Sequence, residues 1–170
     1  MWAAANPVKV VTRDGGIDDM QSLYPQVLNL IERLHRRLLD VIKDEFDRRG
    51  RTDINAVQAL LLFNLGGREV MVGELYTRGY YLGSNVSHSL KKLIELGLLD
   101  QRRSRSDRRS MRVKLTERGQ AVHDIIARLY DKHVRTIEPV GGISADELLR
   151  LNKALQELEH FWSDQILYQL

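Results

Sequence analysis

A hairpin set into an otherwise helical sequence is the feature that most narrows what this chain can fold into. Leu98-Leu99-Asp100-Gln101-Arg102 and Met111-Arg112-Val113-Lys114-Leu115 flank a polar, basic loop over residues 104–110, which predicts two short strands joined by an arginine-rich tip. Gly97, just before the first strand, is the favoured residue beyond the end of a helix, here one that begins near Ser84.

The rest of the pattern has helical spacing. From residue 17 to about 49, Met20, Leu23, Tyr24, Val27, Leu30, Ile31, Leu34, Leu38, Val41, Ile42 and Phe46 recur at threes and fours, an amphipathic stripe. Pro25 predicts either a helix that starts there or a kink in its first turns, and Gly50 ends it. Asn55 and Gln58 form a cap-like pair before Ala59-Leu60-Leu61-Leu62-Phe63, and Gly66-Gly67 closes this second helix. Glu69-Val70-Met71-Val72 is a short strand or the lead into a third helix around residues 73–80. Thr116 caps a fifth helix with Ala121, Val122, Ile125, Ile126, Leu129 and Tyr130 on one face. After Gly141-Gly142, Ser144 and Glu147 have capping-box spacing for a final helix. That helix carries a heptad-like seam, Leu148, Leu151, Leu155, Leu158 and Trp162, which wants a partner helix. Residues 1–16 show no sustained period and read as a flexible arm, with Val8-Lys9-Val10-Val11 able to pair as a short strand.

A chain of 170 residues, 43% hydrophobic, suits one compact domain or one domain with a helical extension, and not a large multi-domain enzyme. No run of about 18 apolar residues is present to span a bilayer, and Met1-Trp2-Ala3-Ala4-Ala5-Asn6-Pro7 lacks a basic region followed by a long apolar core. A cytoplasmic chain without a membrane partner is therefore expected. The absence of cysteine excludes disulfides, thiolate metal sites, cysteine nucleophiles and thiol redox sensing.

The net charge is only +3, but it is unevenly placed. Between Gln101 and Arg118 stand Arg102, Arg103, Arg105, Arg108, Arg109, Arg112, Lys114 and Arg118 against only Asp107 and Glu117, which leaves the rest of the chain mildly acidic. One concentrated basic spot points to a polyanion partner more than a high overall charge does. A solvated charge run is the bland alternative.

Three helices followed by a basic hairpin, inside a longer helical chain, is the order of a winged helix-turn-helix. The expected fold is mostly α with a small β-wing and long N- and C-terminal dimerisation helices. Residues 51–116 form the DNA-binding domain, and residues 17–50 and 117–170 the helical dimerisation region. In this architecture one helix enters the major groove with its N-terminal residues at base edges, while the hairpin reaches neighbouring backbone or minor groove. Within Gly83-Ser84-Asn85-Val86-Ser87-His88-Ser89-Leu90-Lys91-Lys92-Leu93-Ile94, the residues Val86, Leu90, Leu93 and Ile94 share an inward face. The other face offers Ser84, Asn85, Ser87, His88, Lys91 and Lys92. Asparagine pairs in a bidentate way with adenine, lysine reads guanine or grips phosphate, and serine suits phosphate at a helix N-terminus. Any surface helix also shows a polar face, so the hairpin carries more weight. It adds Arg103, Arg105, Asp107, Arg108, Arg109 and Arg112 to the DNA-contacting set.

Glu74-Leu75, Val86-Ser87, Leu93-Ile94-Glu95-Leu96-Gly97-Leu98-Leu99, Asp107-Arg108-Arg109-Ser110 and Val113-Lys114-Leu115-Thr116-Glu117-Arg118-Gly119 together resemble the MarR family. The specific part is Asp-x-Arg-Ser followed by Leu-Thr-x-x-Gly. The resemblance implies that Arg109 enters the minor groove and is braced by Asp107. A narrow minor groove concentrates negative potential, and a carboxylate two residues earlier can hold the guanidinium in pose. A solvated Arg109 beside a turn-capping Asp107 is the alternative.

The resemblance also implies paired terminal helices, with Leu23, Tyr24, Leu148, Leu151, Leu155, Leu158, Trp162 and Ile166 as interface candidates. Two-fold symmetry then places two reading helices roughly 34 Å apart, one DNA turn, on double-stranded DNA with a pseudo-palindromic site. Release by a small-molecule effector bound between the dimerisation helices and the winged domain is implied as well. His35 and Arg36, with Arg37 beside them, are candidate polar contacts for such a ligand, though a solvated helix face is the readier account of them. Gly79-Tyr80-Tyr81-Leu82-Gly83 is similar to a subgroup of MarR regulators that control cell-wall L,D-transpeptidase genes.

No metal, cofactor or catalytic residue is expected. His35, His88, His123, His133 and His160 include no pair at chelating i, i+4 spacing, leaving only His123 with Asp124 or His133 with Asp131. No nucleophile has a base nearby in sequence, and no glycine-rich phosphate loop appears. Two rivals to DNA binding stay open: a winged helix that binds protein, which predicts a less cationic wing, and one that binds RNA.

Overall fold

Capping residues set most of the boundaries in the fold. The computed structural model of the chain describes residues 17–77, 83–103 and 111–168, with side chains for 19–75, 87–103 and 111–168. The expected arm over residues 1–16, the turn over 78–82 and the hairpin tip over 104–110 lie outside the described residues. In chain order the elements are α1 (Ile17–Arg48), α2 (Ala56–Leu65), β1 (Val70–Met71), α3 (Val72–Thr77), α4 (Gly83–Glu95), β2 (Leu99–Arg103), β3 (Met111–Leu115), α5 (Glu117–Thr136) and α6 (Ala145–Tyr168). They divide into two compact units, residues 1–50 and 51–170.

Within the first unit, α1 runs unbroken through Pro25. The helix neither starts at the proline nor ends before it, and the proline forfeits only the one amide that would have bonded back to the Gln21 carbonyl. Its second half is laced by side-chain pairs three and four apart: Arg37 with Asp40, Lys43 with Asp47, Arg48 with Asp44, and Arg49 with Glu45. Such exposed pairs support a helix by a few tenths of a kcal/mol each. Ile42 and Phe46 are buried, whereas Met20, Leu30 and Leu34 on the same stripe stay exposed, Met20 by 65%. Gly50, at φ +66°, takes the left-handed conformation that ends the element.

The second unit is built around α2 and α5. Asn55 accepts the Gln58 amide at 2.9 Å while the Gln58 side chain accepts the Asn55 amide at 3.1 Å, a reciprocal capping box that starts α2. α2 is apolar nearly all round, because it is packed on α5 and on β3 together. Leu61, Leu62, Leu93, Leu98, Val113, Val122 and Ile126 form the fully buried centre. The buried face of α5 is Val122, Ile125, Ile126 and Leu129. Ala121, expected on that face, is exposed, since it sits about a quarter turn away from the face's centre.

The segment offered as strand or helix is both: β1 pairs with β3 (Val70 opposite Val113) and leads straight into α3. The antiparallel sheet has order β1-β3-β2. At the far end, Ser144 and Glu147 exchange amide bonds as the start of α6, and the Ser144 hydroxyl, donating to the Glu147 carboxylate at 2.7 Å, together with the Ser144 amide holds that carboxyl below the usual carboxylate range. No residue of α6 is buried. No helix among the described residues is long and apolar enough to cross a membrane.

Two glycines, Gly119 and Gly141, are fixed by close approach of backbone. A Cβ on Gly119 would lie 2.1 Å from the Leu98 carbonyl oxygen, which is backbone and cannot swing away. Gly119→Ala is therefore expected to destabilise the protein by about 2 kcal/mol or more in urea unfolding. A loss under about 0.5 kcal/mol would contradict the close approach.

Candidate nucleic-acid interface

α4 owes its facing to two leucines and an isoleucine, and its end to one glycine. Leu90 and Leu93 are buried and Ile94 half-buried, which turns Ser87, His88, Lys91 and Lys92 outward to solvent. Its end is fixed by two bonds of Schellman type, Leu98 N–H to the Leu93 carbonyl and Gly97 N–H to the Ile94 carbonyl, both 2.9 Å, with Gly97 at φ +67°. Leu93 and Leu98, the pair that such a closure brings into contact, are fully buried. Ser84 and Asn85 lie in the first turn of α4, and their side chains are outside the described set.

The hairpin's register sorts its charges by face. Leu99 pairs with Leu115, Gln101 with Val113 and Arg103 with Met111, and burial of Leu99, Val113 and Leu115 marks this as the inner face. Asp100 with Lys114 and Arg102 with Arg112 occupy the outer face. Two arginines directly opposite one another repel. Here each has a nearby carboxylate: Arg102 is 3.2 Å from Asp100, and Arg112 is 3.6 Å from Glu69 beside β1. Arg103 thus stands on the α4 side of the sheet, while Arg112 stands on the other face, held by Glu69. A groove of about 450 Å³ separates α4 from the inner face, lined by Val72, Ser87, Leu90, Lys91, Ile94, Glu95, Gln101, Met111 and Val113.

The structure therefore brings Ser87, Lys91 and the inner wing face together, and separates Arg112 from them. Arg105, Asp107, Arg108 and Arg109 lie outside the described residues. His35 and Arg36 are exposed on α1. Of the interface candidates, Tyr24, Leu148, Leu151, Leu155, Trp162 and Ile166 are exposed, while Leu23 and Leu158 are partly covered. Two residues escaped the sequence reading. Gln101 was legible, since strand alternation puts it on the face of Leu99. Glu69 was not, because its partner is 43 positions away and only the β1–β3 pairing brings them together.

The histidines considered for a metal are engaged otherwise. His123 stacks on Phe63 with ring centroids 5.1 Å apart, and its Nδ1 lies 3.0 Å from an Asp124 carboxylate oxygen that also accepts the Gln120 amide at 2.8 Å. These bonds lower the Asp124 pKa. His133 stacks on Tyr130, and burial pushes the Tyr130 hydroxyl up in pKa. Among the described residues no group of three His, Asp or Glu is placed to hold a metal ion.

A family described as a winged helix DNA-binding domain matches residues 54–119, which span α2 to the first turn of α5. The exopolysaccharide II synthesis transcriptional activator ExpG of Rhizobium meliloti (strain 1021) is 39% identical over 156 residues, covering 92% of this chain and 79% of the relative. Among solved structures, FabT of Streptococcus pneumoniae in complex with DNA superposes with TM-score 0.63 at 24% identity, over 83% of this chain and 98% of that one. AbsC, a MarR family transcriptional regulator from Streptomyces coelicolor, gives TM-score 0.63 at 19% identity, over 91% and 100%. The structural neighbours share the fold, and the sequence relative shares descent. This chain belongs to the same family as ExpG, that of transcriptional regulators built on a winged helix DNA-binding domain, and it has the fold of MarR family regulators.

Proposed function

We propose that the chain acts as a homodimer on a pseudo-palindromic operator and that a small molecule adjusts its grip. One observation carries the DNA-reading surface: the outward polar and cationic face of α4 lies across a groove from the inner face of a basic hairpin. Major-groove entry by α4 puts Ser84, Asn85, Ser87 and His88 near base edges and Lys91 and Lys92 near phosphate. Arg103, Arg105, Arg108 and Arg109, with Asp107 bracing Arg109, extend the contact to the flanking backbone and minor groove. Arg112, tied to Glu69 on the outer face, adds field strength and no base contact.

Self-association is supported by apolar surface. Leu148, Leu151, Leu155, Trp162 and Ile166 of α6 are all exposed, Ile166 by 79%, on a helix about 36 Å long. Contiguous exposure of that kind marks an interaction face. For effector control, the groove beside α4 has the size and apolar walls of a small-molecule site; His35 and Arg36, exposed on α1 in the other unit, are candidate contacts in their own right. A ligand that prefers one relative placement of the reading elements shifts the population away from DNA-competent spacing. The targets we assign are genes of the cell surface. The 39% identical relative activates exopolysaccharide II synthesis, and residues 79–83 resemble regulators of L,D-transpeptidase genes. A genome-wide map of bound promoters enriched in envelope genes supports this, and one without such enrichment refutes it.

Arg109→Ala is expected to weaken operator binding by about 1–3 kcal/mol in a titration, and an affinity unchanged within error would remove Arg109 from the interface. The observed affinity should fall with salt at a log–log slope of about −0.9 for each phosphate contacted. A flat response would favour a protein-binding winged helix. Leu155→Glu on α6 should leave a folded monomer in sedimentation where the unmodified chain is a dimer at micromolar concentration. A dimer unaffected by the change would move the interface elsewhere.

A further inference from the structure

The Leu-Thr-x-x-Gly stretch holds a contact that starting a helix does not require. Thr116 Oγ1 accepts the Gly119 amide at 3.1 Å, the ordinary N-cap bond of α5. The same hydroxyl donates its proton to the Gly97 carbonyl at 2.8 Å, nineteen residues back, at the residue that closes α4. Thr116 N–H donates to the Leu98 carbonyl at 3.2 Å, and that carbonyl lies where a Gly119 side chain would begin. One residue therefore starts α5 and is bonded to the residue that closes α4, and the partners it bonds are all backbone groups.

We propose that Thr116 is a positioning residue for DNA reading: its bond to the Gly97 carbonyl fixes the angle between α4 and α5 and so sets the spacing of the operator half-sites. The proposal rests on the dimer reading above, because α5 leads into the helices assigned to pairing. Leverage makes a single bond matter. α4 is about 20 Å long, so a swing of about 10° at its closed end moves its N-terminal residues by about 3 Å, close to the 3.4 Å rise of one base. A loosened joint would let each α4 find the groove at neighbouring registers while keeping its side-chain contacts.

Capping and positioning separate by chemistry. Thr116→Asp keeps an acceptor for the Gly119 amide and adds favourable charge at a helix N-terminus, but a carboxylate cannot donate to Gly97. Thr116→Ser keeps both bonds. Each full-length protein is used to select bound sites from random duplexes, with thermal melting run alongside. The unmodified chain and Thr116→Ser should enrich one half-site spacing, while Thr116→Asp enriches the same half-sites over two or more adjacent spacings. If Thr116→Asp unfolds below the assay temperature, Thr116→Gly, which is tolerated at a helix N-cap and has no side-chain donor, takes its place with the same expectation. A capping variant that melts near the unmodified protein and enriches the same single spacing as sharply overturns the positioning role. An unmodified chain that enriches no paired half-sites overturns the dimer reading, and the positioning role with it.

Discussion

The carbonyl of Leu98 is held on both sides, by the Thr116 amide and by the bare Cα of Gly119, and the rest of the reading surface hangs from that contact. It is the point where α4 has ended, β2 begins and α5 starts. Burial of Leu93 and Leu98 beneath it gives the joint an apolar floor that water cannot enter. A helix needs only one glycine in a left-handed conformation to stop. Here the stop also sets the course of β2, since the residues just past Gly97 pair directly with the strand that precedes Thr116.

From that joint the hairpin projects as a short ribbon whose two faces differ in task. The inner face carries the apolar side chains that seat it on the core, lines the groove with Gln101, Met111 and Val113, and ends in Arg103. The outer face stacks like charges and relieves them with Asp100 and Glu69. Arg102 and Arg112 thus each have a carboxylate at hand, whereas the sequence between β2 and β3 carries Arg105, Arg108 and Arg109 with only Asp107 among them. That unequal supply of carboxylates concentrates positive charge in the segment between β2 and β3, the property expected of a site that takes a polyanion.

Much of the fold was legible because its boundaries are local. Asn55 with Gln58, Ser144 with Glu147, Thr116, and the glycines at 50, 66 and 97 each act within four residues of themselves, and all of them appear where the sequence places them. What escaped was non-local. The pairing of β1 with β3, the bond from Glu69 to Arg112 and the second bond of Thr116 join residues tens of positions apart, and no periodicity announces them. Ala121 was misplaced because an alanine beside an apolar stripe carries too little side chain to show which side of the boundary it belongs to. The geometry of the candidate surface was half legible: spacing separated the inward apolar residues of α4 from its polar face, but strand register was needed to divide Arg103 from Arg112.

The chain joins a reader that is rigid at its base to helices whose apolar faces ask for a partner. A regulator needs both properties, since rigidity gives sequence selectivity and pairing gives affinity from two half-sites. Contact mapping on a bound duplex tests this most directly, combining purine N7 protection in the major groove with hydroxyl-radical protection in the minor groove. The account predicts two N7-protected clusters about 34 Å apart on one face of the duplex, each flanked by a minor-groove protection from a wing. A single continuous protected patch, or clusters without the flanking minor-groove signal, would contradict it.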